Sequence, residues 1–211
     1  VFNQQELSQI AKLAIEKDLL VITDEVYEHL VFDGQSHIPI STFPGMSERT
    51  LTISSAAKTF GFTGWKIGWA HGPSELLSAV RIAKQFLTSV NGAPFQHAIA
   101  EALKLDESYY INLALDMANK RDILCEGLEK AGFEVFRPSG TYYATVDIRP
   151  LGDEDGIEFC WDLPNRCGVV AVPNEVFYDN KTIGKPLVRF AYCKRPEVLD
   201  HAVEKLLSLK A

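Results

Sequence analysis

Nowhere in the 211 residues do more than two Lys or Arg stand together, and 21 basic side chains face 28 acidic ones, for a formal charge of -7. A nucleic-acid surface needs a basic patch, so no nucleic-acid partner is expected. No apolar stretch approaches the ~20 residues of a bilayer-crossing helix, and no charged, apolar and small-residue leader is present, so no membrane partner is expected. Cys125, Cys160, Cys167 and Cys193 lack C-x-x-C spacing. In a chain of this size they read as free buried thiols of a reducing compartment, which makes the cytoplasm the expected location. His29, His37, His71, His97 and His201 form no H-x-x-x-H or Cys/His pattern, and no metal is assigned. Internal repeats and low-complexity tracts are also missing.

What is present is 46% hydrophobic and 23% charged residues, enough for one large or two modest cores. Leu7, Ile10, Ala11 and Ala14 recur at helical spacing and predict an amphipathic helix. Leu19 to Thr23 is a short β-branched run that reads as a buried parallel strand. It ends in Asp24-Glu25-Val26-Tyr27, which places polar side chains at a strand's carboxyl end, where open α/β sheets bind ligands. A second strand over Thr50 to Ser54 delivers Ser55 and Lys58 to the same edge. Helices are expected from Ser74 to about Phe86 and from Gln96 to Leu105, with Asn91-Gly92-Ala93-Pro94 as the break between them.

A long helical pattern from about Glu107 to Ala131 ends at Gly132, and a domain boundary is expected inside it, dividing 1–113 from 114–211. The first part reads as a doubly wound α/β piece and the second as a smaller α+β domain. Strands are expected at Glu134 to Phe136, Thr141 to Ile148, Gly168 to Val172 and Leu187 to Tyr192. Helices are expected at Gly156 to Cys167 and Pro196 to Leu209, and Asp179 to Pro186 is the most loop-like segment.

The chemistry concentrates around one lysine. Lys58 lies between small residues in Ser55-Ala56-Ala57-Lys58, and a second cation, Lys66, comes later inside a Gly-rich turn. An amine forms an imine with an aldehyde only when unprotonated, and a partly dry pocket holding another cation favours that form. Lys58 is therefore a candidate Schiff-base residue, with Ser55 and Lys66 placed to reach a phosphate. Asp24 suits a protonated pyridine nitrogen and Tyr27 the ring oxygen beside it. These properties together suit pyridoxal 5'-phosphate. A surface lysine, an N-capping Asp24 and a core Tyr27 are the plainer readings of the same residues. Arg189 lies among apolar neighbours in Val188-Arg189-Phe190, and a guanidinium there needs an anion, either a structural carboxylate or one that arrives with a substrate.

With these residues in place, the chain resembles the fold-type I pyridoxal-phosphate aminotransferases of class I/II. D-x-x-Y matches Asp24 to Tyr27, S-x-x-K matches Ser55 to Lys58, and the late carboxylate-binding arginine matches Arg189. W-K-x-G-W, with Lys66 where most members carry arginine, resembles the kynurenine/glutamine transaminase branch, and the wording of the chain looks most like its N-succinyl-diaminopimelate aminotransferases. The resemblance implies transfer of an amino group from an L-amino acid to a 2-oxo acid, with 2-oxoglutarate as the expected acceptor, in a homodimer. Kynurenine, glutamine and methionine transaminases, a cysteine-S-conjugate β-lyase and, remotely, a sensing domain of a transcription regulator are the alternatives. It also implies that Tyr142 or Phe177 lines the substrate pocket. Val1 to Leu7 resembles the stretch just after the family's N-P-x-N-P-T-G segment, which implies that the N-terminal half of the fold lies outside this sequence.

Overall fold

The helical spacing at the start of the chain forms α1 (Gln4–Glu16), opened by a capping box in which the Asn3 side chain accepts from the Glu6 amide and Glu6 accepts from Asn3. Leu7, Ala11 and Ala14 form its buried stripe, packed with Ile40 and Met46. Ile10 is outside that stripe and is exposed. The computed structural model describes residues 1–210, and they divide into two compact units, Val1–Leu113 and a second beginning at Ala114.

In the first unit, β1 (Val21–Asp24) runs parallel to β2 (Thr50–Ser55), and β3 (Gly68–His71) returns antiparallel on the other side, in the order β1-β2-β3. The strand expected at Leu19 to Thr23 therefore exists, displaced toward Asp24. In this chain taken by itself, Leu20 and Ile22 are 66% and 69% exposed. Among the described residues β1 stands at the edge of the three-stranded sheet, and α1 packs through a cluster that takes in Val21 but neither of those side chains. Strand β3 has no signal in the sequence, because Gly-Trp-Ala-His neither alternates nor is rich in β-branched residues.

A four-residue α2 (Ala56–Thr59) follows β2 directly, then come α3 (Ser74–Leu87), α4 (Ala93–Ala102) and α5 (Glu107–Ala131), within which the division between the units falls. Helix α4 begins at Ala93, three residues before the expected start. Pro94 occupies its first turn, where the missing amide costs nothing and the fixed φ suits a helix. It opens the helix rather than breaking the chain.

The second unit holds an antiparallel sheet in the order β4-β5-β7-β6, formed by β4 (Glu134–Phe136), β5 (Tyr143–Asp147), β6 (Val172–Pro173) and β7 (Leu187–Ala191). Helices α6 (Gly156–Cys167), α7 (Lys181–Gly184) and α8 (Pro196–Leu207) complete it. Ala144, Val146, Val188 and Phe190 bury one face of the sheet together with Leu128, Phe133, Phe159, Leu163 and Leu206. Thr145 and Arg189 are register partners between β5 and β7, on alternate positions to that buried set. Two expectations are corrected here. The strand predicted from Gly168 shrinks to Val172–Pro173, since Gly168 is the left-handed cap of α6, and the loop predicted after Asp179 contains α7, capped by the Asn180 side chain on the Thr182 amide.

All four cysteines are free, as expected, but only Cys125 is buried; Cys160 and Cys167 are half-buried and Cys193 is exposed. Among the described residues, no helix is long and apolar enough to cross a membrane, and no cluster of His, Cys, Asp or Glu could hold a metal ion.

Candidate active site

Parallel pairing of β1 with β2 sets Asp24 opposite Ile53, so the carboxyl ends of the two strands lie side by side. Ser55 ends β2 and is also the N-cap of α2, where its Oγ accepts from the Ala57 amide at 3.4 Å. Lys58 is thereby carried one turn beyond the sheet edge on a helix too short to move independently. The far end of α2 is fixed by α5, because Tyr109 Oη donates to the Thr59 carbonyl at 2.8 Å and its ring stacks on Phe60 at 5.7 Å. Lys58 is half-buried and Asp24 is exposed.

Asp24 does not cap a helix. Its Oδ1 accepts from the Val26 amide at 3.2 Å, and the chain runs on as a turn that holds Tyr27, half-buried. The next residue, Glu25, anchors that turn from the protein side. It is 7% exposed, accepts from Thr23 Oγ1 at 2.9 Å and meets His37 Nε2 at 2.7 Å. Burial alone would raise its carboxyl, yet the bonds from His37 and Thr23 outweigh that and hold it below the usual carboxylate range. Burial pushes the imidazole of His29 down, against the opposing charge of Glu28, which itself accepts from Ser54 Oγ at 2.6 Å.

The Gly-rich turn closes back on α2 through the Ala56 amide, which donates to the Ile67 carbonyl at 3.1 Å. Lys66 sits in that turn in the left-handed region, φ 56°, its carbonyl accepting from the Asn91 side chain. Trp65 beside it is stacked between Phe62 and Phe95, at 4.4 and 4.5 Å. Gly68 then passes so near β2 that a β-carbon there would stand 2.8 Å from the Ser54 carbonyl and 3.2 Å from Ser55 Cβ. Only glycine lets β3 lie against the residue that caps α2.

The second unit presents its own cluster. Arg189 on β7 has the Tyr143 ring on one side, 4.1 Å from the guanidinium carbon, and the Phe177 ring at 4.3 Å. Its Nε is buried with no hydrogen-bond partner. Tyr142 and Tyr143 meet through their hydroxyls at 3.4 Å, and burial, reinforced by that contact, pushes the Tyr143 phenol up to about 12. Phe177 closes the short 3-10 turn Asn174–Phe177, and the buried Asn174 donates to Thr145 Oγ1 at 3.3 Å. Tyr143 and Glu25 stand beside the candidate residues and were not singled out by the sequence alone. Tyr143 had a signal, since an arginine in a β-strand needs cover from the strand beside it.

The first unit has an amine, an exposed carboxylate, a phenol and a hydroxyl on the residues that follow the carboxyl ends of β1 and β2, and an ammonium in the turn after α2, the functional groups to hold a phosphorylated pyridine aldehyde. The second unit, taken by itself, presents a guanidinium, which can hold a carboxylate. Comparison with known proteins gives the same direction. The family model for aminotransferase class I and II matches residues 1–206. A probable N-succinyldiaminopimelate aminotransferase, DapC, of Mycobacterium tuberculosis is 49% identical over 98% of this chain and 54% of its own length. A kynurenine–oxoglutarate transaminase of Dictyostelium discoideum is 38% identical over 100% of this chain and 53% of its own. Among solved structures, the N-succinyldiaminopimelate aminotransferase of M. tuberculosis superposes with a TM-score of 0.95 at 50% identity, covering 99% of this chain and 54% of that one. YbdL of Escherichia coli, with an identified methionine aminotransferase function, gives 0.92 at 32% identity, over 98% and 55%. The chain thus spans about half the length of the relatives it matches.

Proposed function

This chain belongs to the class I and II aminotransferases, and from that premise we propose that it carries the catalytic lysine and the carboxylate-binding arginine of a pyridoxal-phosphate-dependent aminotransferase. The observation that carries the reading is the convergence of Lys58, Asp24 and Ser55 on the adjoining ends of β1 and β2.

Lys58 would be the attachment residue and, as a free amine, the base that takes the substrate's α-proton and delivers it to the former aldehyde carbon of the cofactor rather than back to the α-carbon. Pyridoxal phosphate supplies, when bound, the electron sink that makes that proton acidic. Asp24 would hold a proton on the pyridine nitrogen, and its turn is braced by the Asx bond to Val26 and by the Glu25–His37 pair. Tyr27 donates to the ring oxygen. Ser55 and Lys66 take the phosphate, Lys66 as a point charge without the fork of an arginine. Arg189 would take the substrate's α-carboxylate through the terminal nitrogens of its guanidinium. Phe177 and Tyr142 line the place where the side chain enters.

The proposed donor is N-succinyl-diaminopimelate, on the strength of the 49% identical relative, and the proposed acceptor is 2-oxoglutarate. The proposed assembly is a homodimer. Four free cysteines suit the cytoplasm as its location. The test uses the complete protein, loaded with pyridoxal phosphate and treated with borohydride. The cofactor is expected to be fixed to Lys58; fixation elsewhere, or none, overturns the reading. A panel of N-succinyl-diaminopimelate, kynurenine, glutamine and methionine with 2-oxoglutarate then decides the donor, and ammonia with pyruvate in place of glutamate would reveal a β-lyase.

A further inference from the structure

Arg121, Arg137, Arg149 and Arg166 each pair with a carboxylate of the second unit. Arg189 instead has two aromatic rings, and its Nε is buried without an acceptor. A guanidinium carries all its donors at its edge, and its faces are the only surfaces that rings can cover without competing for those donors. We propose that Tyr143 and Phe177 are positioning residues that form a slot around Arg189, so that it accepts a planar carboxylate edge-on and rejects tetrahedral anions. The inference rests on the proposal that Arg189 binds the substrate's carboxylate, and adds which side chains aim it.

The slot is held from outside the arginine. The Tyr143 amide donates to Thr141 Oγ1 at 3.3 Å, and Thr141 has φ 69°, a left-handed conformation that β-branched residues rarely adopt. The carbonyl of Thr141 accepts from the hydroxyl of the fully buried Tyr192 at 3.2 Å. A conformation of that cost persists only where its surroundings fix it, and here the fixed object is the start of β5, where Tyr143 stands. On the other side Asn174, buried and bonded to Thr145, sets the turn that ends in Phe177. Thr145 is the register partner of Arg189, so both rings are referred to the same rung of the sheet.

A coplanar carboxylate fits between the rings and meets the donors along the guanidinium edge. A phosphonate or sulfonate must place an oxygen out of that plane, against a ring. Both the amino-acid donor and the 2-oxo acid acceptor present the planar group, so one slot serves both halves of the reaction.

The test uses the complete, cofactor-loaded protein and the variants Tyr143→Leu, Tyr143→Phe, Phe177→Leu and Arg189→Leu. Calorimetry measures Kd for an unreactive probe, 3-phenylpropionate, and for its phosphonate counterpart, 2-phenylethylphosphonate; kinetics gives KM and kcat. Tyr143→Leu and Phe177→Leu are expected to raise KM for donor and acceptor alike by about tenfold, with a much smaller change in kcat, and to lower the carboxylate-over-phosphonate preference by a similar factor. Tyr143→Phe keeps the ring and is expected to restore both quantities. Phe177 is 58% exposed, so its variant tests the slot without opening a core. If Arg189→Leu abolishes carboxylate binding while both leucine ring variants retain the wild-type KM and preference, the slot is refuted and the role of Arg189 stands. If Arg189→Leu still binds 3-phenylpropionate as the wild type does, the role of Arg189 fails and the slot with it.

Discussion

Glu25 meets His37 at 2.7 Å directly behind Asp24, so the carboxylate proposed for the cofactor's ring nitrogen is tethered by a neighbouring one that is 7% exposed. The tether has a pH signature. With its folded-state value held low, Glu25 contributes stability that is complete above the ordinary glutamate range and is lost as the pH falls through the lowered value. Glu25→Gln is expected to cost about 1 kcal/mol at neutral pH and to flatten this part of the acid limb. Denaturant melts of the wild type and variant at a series of acidic pH values check it; parallel curves would refute the tether.

Lys66 is expected to act on cofactor affinity rather than on the fold, and Ser55 on both. Removing the ammonium in Lys66→Ala should weaken pyridoxal phosphate binding about tenfold or more in the complete protein, while Lys66→Arg should retain it. Ser55→Ala removes both a phosphate donor and the cap of α2, and its stability cost should be about 1 kcal/mol. Absorbance titration with the cofactor, beside thermal melts, separates the two effects.

Gly127 on α5 lies against Val203 on α8, where a β-carbon would stand 2.3 Å from Val203 Cγ2. Valine is stiff at χ1 and cannot fold away, so Gly127→Ala should destabilise the second unit by about 1–3 kcal/mol despite alanine's better helix propensity. Adding Val203→Ala should recover most of the loss. A double-mutant cycle by denaturant unfolding measures the coupling, and additivity would contradict the close approach.

Elements with strong end signals were legible. Helix α5 starts at Glu107 and ends before Gly132, and α6 runs from Gly156 to Cys167, both within the predicted bounds. What escaped was set by neighbours. Strand β3 exists because β2 offers Gly68 a partner, which its own residues do not encode. Motif spacing proposed Asp24, Ser55 and Lys58 as site residues, and the structure places them at and just beyond the ends of adjacent strands. It missed Glu25, which reads as a surface acid until His37 folds over it, and Tyr143, whose contact with Arg189 depends on the pairing of β5 with β7.

Helix α3 has no buried side chain, and Ile82, Phe86, Leu87 and Val90 along and just beyond it are 64–83% exposed. Oily side chains in such number facing water govern handling at the bench. A preparation of these 211 residues by themselves should brighten 8-anilinonaphthalene-1-sulfonate and form clusters whose size in light scattering grows with concentration. Replacing Phe86 and Leu87 with serine should diminish both signals while leaving far-ultraviolet dichroism as it was.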